Sequence, residues 1–299
     1  MDLLRNSLAE TFGSARVGTN EPLAKHCNWR VGGPADLFVS VKNAHELIQT
    51  VRLAHKHGIP PTILGFGANV LVSDAGIRGL VILNRAQRIS FQPNYLVEAD
   101  SGTNLAVLAK QAAQLGVGGL EFLIGIPGTV GAAVAVNAGT RTRWISGLLE
   151  SVRVLQNDGE VEWLSPKELS FSYRTSRLKQ TGEVVIAAKL RGNPDEPANI
   201  ERKMKKELQV RKNQPTGPSA GSVFKNPPND FAGRLIEACG LKGFRIGGAQ
   251  ISEMHANFIL NVGGAKAQDI KAIIGHAKSE VSKRLDITLE EEIRYLGQW

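Results

Sequence analysis

Two glycine-rich loops, each set inside an alternating strand–helix pattern, most constrain what this chain can fold into. The first, Gly65-Phe66-Gly67-Ala68-Asn69-Val70, follows a short apolar run at 62–64. The second, Gly125-Ile126-Pro127-Gly128-Thr129-Val130-Gly131, sits between apolar flanks. Ahead of the first loop, residues 36–41 alternate apolar and polar as a half-buried strand does. Asn43 then reads as a helix N-cap, with Glu46 three residues on as a capping box. Ala44, Leu47, Ile48 and Val51 share one helical face, and Gly58 ends it. Residues 80–83 form a further apolar strand. Strand, helix, strand, loop, strand is an α/β unit.

A second unit opens near Leu96. Thr103 is predicted to cap a helix that reaches Leu115 and closes at Gly116. Residues 152–164 read as a hairpin turning at Asn157-Asp158-Gly159, and 183–190 as another strand. The turn-forming stretch 192–197 is the best linker. Beyond it, helices are expected over 199–212, 231–239 and 268–284, and strands over 257–262 and 287–296. The expected division is 1–85, 86–195 and 196–299, with the terminal strand 287–299 returning near the first part.

At 299 residues the chain exceeds the ~250 that one core usually supports. Its net charge of +8 fits nucleic acid, a membrane surface or small anionic ligands such as nucleotides. Two cysteines, Cys27 and Cys239, without CxxC spacing argue for a reducing compartment and against a disulfide framework or zinc site. The start Met1-Asp2-Leu3-Leu4-Arg5 lacks a signal-peptide layout, and no run approaches the ~20 apolar residues of a membrane span. The expectation is a soluble cytoplasmic protein with no membrane insertion.

The first loop fails the dinucleotide fingerprint: its sixth position is Val70, and Leu71-Val72-Ser73-Asp74 does not start a helix. It can still present backbone N–H groups as an anion nest, with Asn69 adding a side-chain amide. Two such loops in adjacent units suggest one extended ligand, such as a dinucleotide; two unrelated turns remain the alternative. Elsewhere, Gly221-Ser222-Val223-Phe224-Lys225-Asn226-Pro227 gathers a hydroxyl, a cation and an amide in a segment that Pro227 and Pro228 keep irregular. Tyr173-Arg174 sets a guanidinium, suited to gripping a carboxylate, beside a phenol. Glu290, Glu291 and Glu292 fall in the terminal strand, where Glu290 and Glu292 would share one face. His55 and His57, two apart on a helix, do not form a metal pair, and no HExxH occurs, so no metal site is expected. His255 is a candidate to line a site, or a structural histidine.

The ordered set NWRVGGPAD (28–36), GFGANVLVSDAG (65–76), IPGTVGAA (126–133), SYRTS (172–176), PSAGSVFKNP (218–227) and LEEEIRYLG (289–297) resembles the UDP-N-acetylenolpyruvoylglucosamine reductases, flavoproteins of bacterial peptidoglycan precursor synthesis. It looks like their shorter, type II subgroup, which lacks a tyrosine-bearing insertion. The resemblance implies an α+β and α/β fold: a two-domain FAD-binding module of the vanillyl-alcohol-oxidase type, then a smaller substrate-binding domain. It implies Arg174, Ser222 and Glu292 as catalytic residues, and Tyr173, Lys225, Asn226, His255 and Arg294 as substrate contacts. It places residues Gly65 to Val70 and Gly125 to Gly131 on the flavin. Non-covalent FAD, NADPH as hydride donor and a monomer or weak oligomer follow as expectations.

The implied reaction passes a hydride from NADPH to the flavin, then from reduced flavin to the enolpyruvyl ether of UDP-N-acetylglucosamine. Ser222 would give the proton, while Arg174 and Glu292 stabilise the enolate-like intermediate. Glu292 would then need a raised pKa or a bridging donor. Three departures stand out: Ala68 where serine is common, Glu291 in place of a proline, and a divergent run from Thr140 to Trp144. Two other readings compete. The basic helix at 199–212 could bind nucleic acid, though it lacks interleaved aromatics and reads better as a solvated face. Another FAD oxidoreductase of the same fold, such as an alcohol oxidase, would give Ser222 no evident role.

Overall fold

The computed structural model describes residues 1–299. In chain order the first elements are α1 (Asp2–Phe12), β1 (Val17–Pro22), β2 (Pro34–Val41), α2 (Ala44–Lys56), β3 (Thr62–Leu64), β4 (Val70–Val72) and β5 (Ile77–Asn84). Then come β6 (Ile89–Gln92), β7 (Leu96–Asp100), α3 (Leu105–Gln114), β8 (Val117–Gly118), α4 (Val130–Ala135), β9 (Leu149–Leu155), β10 (Val161–Leu164), α5 (Leu178–Thr181) and β11 (Val184–Arg191). The last are β12 (Asn193–Pro194), α6 (Pro197–Val210), α7 (Ala232–Ala238), β13 (Arg245–Ile246), β14 (Ala249–Ile251), β15 (Ile259–Asn261), α8 (Ala267–Leu285) and β16 (Arg294–Leu296).

Contacts divide the chain into two units. The first comprises Met1–Val17, Phe38–Gly65 and Leu80–Lys212; the second comprises Gly18–Leu37, Phe66–Gly79 and Asn213–Trp299.

In the first unit, β10, β9, β11, β7 and β6 lie in that order in one antiparallel sheet. The expected hairpin is there, with Val161 opposite Leu155. β3 pairs in parallel with β5, Thr62 opposite Val81. The core gathers Val97, Leu105, Leu108, Phe122, Leu123, Val152 and Leu190, all buried.

Local chemistry explains the helix starts. Asn43 accepts the Glu46 N–H at 2.9 Å. The Glu46 carboxylate does not return to Asn43, as a capping box would require; it takes the Lys42 N–H at 2.8 Å and an Arg16 guanidinium N–H at 2.7 Å. Asn104, rather than Thr103, caps α3: its Oδ1 accepts from Ala106 and Val107 at 2.8 and 3.1 Å. Thr103 is instead buried, its backbone tied to Asp100 and Val130.

In the second unit, β13, β14 and β15 form an antiparallel sheet, Ile251 opposite Ile259, and β16 pairs in parallel with β4, Arg294 opposite Val70. α8 buries Ile270, Ile273, Ile274, Ala277 and Val281, the stripe expected from its sequence. Asp74 closes the start of α8, accepting from the Ala267 and Gln268 N–H groups at 2.9 and 3.0 Å. Asp74→Ala is expected to cost about 1 kcal/mol, a fall of about 2–4 °C in Tm by thermal melting. Cys27 and Cys239 are both free and buried, and burial pushes the Cys27 thiol up to about 12. No helix is long and apolar enough to cross a membrane.

Candidate functional site

In the second unit the GSVFKNP segment is clamped on both sides. Asn257 holds one side: its carbonyl accepts from Val223 N–H at 2.9 Å, and its side-chain amide brackets Phe224 at 2.9 and 2.8 Å. The acidic terminal segment holds the other. Lys225 N–H donates to the Glu290 carbonyl and Glu292 N–H to the Val223 carbonyl, both at 2.8 Å. Ser222 and Glu292, seventy residues apart, are therefore brought within one hydrogen-bonded strip.

The same strip reaches the first glycine loop. Asn69 Nδ2 donates to the Glu292 carbonyl at 3.2 Å, and Arg294 N–H to the Asn69 carbonyl at 3.0 Å. The Asn69 amide, expected to face an anion, is thus directed at the backbone. The expected strand 287–296 is correspondingly cut to β16, with one isolated bridge, Phe224 to Glu291, ahead of it. Changing partners from the 223–225 segment to the 69–70 segment interrupts a regular ladder. Glu290 and Glu292 consequently do not form one strand face. Glu290 pairs with Lys225 at 2.9 Å and Glu291 with Lys278 at 2.8 Å, while Leu289 and Ile293 fill the core. Glu291 and, above all, burial raise the Tyr295 phenol above its ordinary pKa.

A pocket of about 270 Å³ opens beside Ser222, lined also by Asn226, Glu237, Met254, His255 and Asn257. Asn226 Oδ1 accepts the Ala232 N–H at 3.1 Å. His255 Nδ1 accepts the Asn257 N–H at 3.2 Å, which puts the ring proton of neutral histidine on Nε2. Burial, chiefly, holds its pKa below the ordinary histidine value. Gly233 leaves room for this ring, since a Cβ there would lie 2.9 Å from His255 Cε1.

In the first unit, Arg174 adopts φ +57°, a left-handed conformation that costs an arginine about 1 kcal/mol or more. The turn around it enforces this: Ser172 N–H bonds the Thr175 carbonyl at 3.1 Å, and Asn137 Nδ2 bonds the Ser172 carbonyl at 2.9 Å. Arg174 Nη1 donates to the Gly139 carbonyl at 3.2 Å, and its guanidinium lies 5.6 Å from the Tyr173 ring centre. The sequence offered no sign of Arg211. Expected on a solvated helix face, it is half-buried, and its side chain lies so near Gly125 that a Cβ there would come 2.6 Å from its Nε. Burial above all, and the Arg174 cation, push its pKa below the ordinary value, against the opposing Glu207. A guanidinium whose charge is disfavoured by burial and by a neighbouring cation suits an anionic ligand.

The second glycine loop leaves room for a ligand such as a flavin dinucleotide, while the glycines of the first are closed against protein. Within the first unit Gly65 abuts the second loop, where a Cβ would lie 2.9 Å from the Thr129 Oγ1. Gly128, at φ +143°, has open space where a Cβ would stand, so a ligand can approach its backbone. Thr129 ends the loop by capping α4. In the second unit Gly67, at φ +60°, is pressed against the His26 carbonyl, which only glycine permits.

Comparison with known proteins agrees with this geometry. The family described as "FAD binding domain" matches residues 35–165, and that described as "UDP-N-acetylenolpyruvoylglucosamine reductase, C-terminal domain" matches residues 212–296. A UDP-N-acetylenolpyruvoylglucosamine reductase of Moorella thermoacetica is 45% identical, over 95% of this chain and 94% of its own. One from Symbiobacterium thermophilum is 43% identical, over 94% and 92%. The crystal structure of the Thermus caldophilus enzyme superposes with a TM-score of 0.81 at 37% identity, covering 94% of this chain and 98% of that one. The fold expected from the sequence, an FAD-binding module followed by an α+β domain, is the one found, and the chain belongs to the UDP-N-acetylenolpyruvoylglucosamine reductase family.

Proposed function

We propose that this chain reduces the enolpyruvyl ether of UDP-N-acetylglucosamine to UDP-N-acetylmuramate with NADPH, and that Ser222, Arg174 and Glu292 carry the chemistry. The observation that carries this reading is the single strip joining Ser222, Glu292 and Asn69 of the first glycine loop. It ties a proton donor and a carboxylate to a segment that the family resemblance places on the flavin.

Gly65 to Val70 and Gly125 to Gly131 would hold FAD, which when bound and reduced by NADPH would supply the hydride for the vinyl carbon of the substrate. Negative charge then grows on the adjacent carbon and its carboxylate. Arg174, fixed by its turn, offers guanidinium N–H groups to that charge, and preorganised donors of this kind are worth about 10²–10³ in rate. Glu292 assists as a protonated or bridged carboxyl. Ser222 donates its hydroxyl proton to the adjacent carbon, and an alkoxide this basic is re-protonated by a relay. Tyr173, Lys225, Asn226, His255 and Arg294 contact substrate; Lys225, being paired to Glu290, sits near the strip. The net charge of +8 suits three anionic ligands. In this reading 1–85 and 86–195 serve the flavin and 196–299 the substrate, in a cytoplasmic monomer or weak oligomer.

Anaerobic visible spectroscopy tests the reading. NADPH is expected to bleach the flavin band, and the enolpyruvyl sugar nucleotide to restore it. No flavin absorbance after reconstitution with FAD, or bleaching without recovery on that substrate, would overturn it.

A further inference from the structure

We infer that Arg143, on the divergent 140–144 loop, is a positioning residue for Arg174, acting through the Gly139 carbonyl. This rests on the reading of Arg174 given above. Arg174 Nη1 donates to the Gly139 carbonyl at 3.2 Å, so the place of that carbonyl sets where one arm of the guanidinium points. Gly139 begins a tight loop: it bridges Trp144, Thr140 N–H bonds the Arg143 carbonyl at 2.8 Å, and Ile145 N–H bonds the Ala138 carbonyl at 2.9 Å. The loop closes tightly on Gly139, since a Cβ there would collide with the Arg143 carbonyl and the Trp144 backbone and ring.

What anchors this loop is the Arg143 side chain. Its guanidinium reaches the Glu121 carboxylate at 3.2 Å and the Gly119 carbonyl, and lies 4.9 Å from the Phe122 ring centre. Glu121 is only 2% exposed and is approached from the other side by Lys203 at 3.5 Å, itself held by Asp195 at 2.6 Å. Burial opposes the charge of Glu121, yet hydrogen bonds from the Gly119 and Glu121 backbone and from Arg143 keep its carboxyl below the ordinary value. A charged carboxylate at this depth holds its partner, because moving the guanidinium away leaves a buried charge with only the longer contact to Lys203 as its salt bridge. The chain Glu121, Arg143, Gly139, Arg174 thus runs from a rigid buried anchor to a strained arginine.

The test is a double-mutant cycle, with the two half-reactions followed separately. Arg143→Ala is expected to lower kcat about 10–100-fold with KM within about twofold, through slower flavin reoxidation by substrate. Bleaching by NADPH should keep its wild-type rate. Arg143→Lys should recover part of the loss, since it keeps the charge but not the fork. Glu121→Gln, which removes the anchoring charge at constant shape, should slow the same step and serves as the second variant should Arg143→Ala fold poorly. In an Arg174→Ala background, Arg143→Ala should add nothing. Additive effects, or equal slowing of both half-reactions, would overturn the inference while leaving the role of Arg174 standing. An Arg174→Ala enzyme of wild-type rate would overturn the reading of Arg174 itself, and the inference with it.

Discussion

Replacing Ser222 with alanine is expected to slow reoxidation of the flavin by the enolpyruvyl substrate about 10²–10⁴-fold, while NADPH bleaches the flavin at the wild-type rate. The expectation follows from what the structure does to this serine. Its segment is held on one side by Asn257 and on the other by the backbone of Glu290 and Glu292, so the hydroxyl is placed by five backbone and side-chain bonds to its neighbours. Those bonds survive the substitution, because none of them uses the Ser222 side chain. Loss of rate would then report the missing proton, not a displaced loop. Two checks separate the possibilities. An unchanged Tm shows that the clamp persists, and an unchanged KM shows that substrate still binds. A Ser222→Ala enzyme reoxidised at the wild-type rate would remove Ser222 from the chemistry.

Trp29→Ala is expected to destabilise the second unit by about 3–5 kcal/mol, read from the urea midpoint of unfolding. Trp29 is fully buried among Val31, Leu71, Ala256 and Ile259. Its indole Nε1–H donates to the Ile259 carbonyl at 2.7 Å, and its own carbonyl accepts from Asn261 Nδ2 at 2.9 Å. Truncation would open a large cavity and leave a buried acceptor without its donor. Trp29→Phe separates these contributions. It refills most of the volume and leaves the orphaned carbonyl, so a loss of about 1–3 kcal/mol is expected. Equal stability of wild type and Trp29→Ala would contradict this account of the core.

Much of the architecture was legible because it is set within a few residues. β2 alternates buried and half-buried positions along its whole length, as period two requires, and α8 buries the stripe its spacing announces. Asn43 caps α2 because its short side chain meets an N–H three residues on. The first errors are also local. Thr103 and Asn104 are both good caps, and the choice fell to Asn104 because Thr103 is drawn into the core. The larger differences arise where partners are distant. The terminal segment reads as one strand, yet its backbone serves residues 223–225 first and the 69–70 segment afterwards. Arg211 reads as one more basic residue on a helix face, and its place beside Gly125 is set by a segment distant in the chain.

By itself, the sequence determined the periods of helix and strand, the places where only glycine can turn, and the order of motifs that marks the family. Those depend on backbone geometry and side-chain size, which each short segment carries with it. Tertiary structure alone decided which donor meets which acceptor. It sent the Asn69 amide to the Glu292 carbonyl, gave Glu121 to Arg143, and strained the turn at Arg174. Such pairings join residues tens to hundreds of positions apart. They form only when packing brings distant segments together, and no local pattern encodes that event.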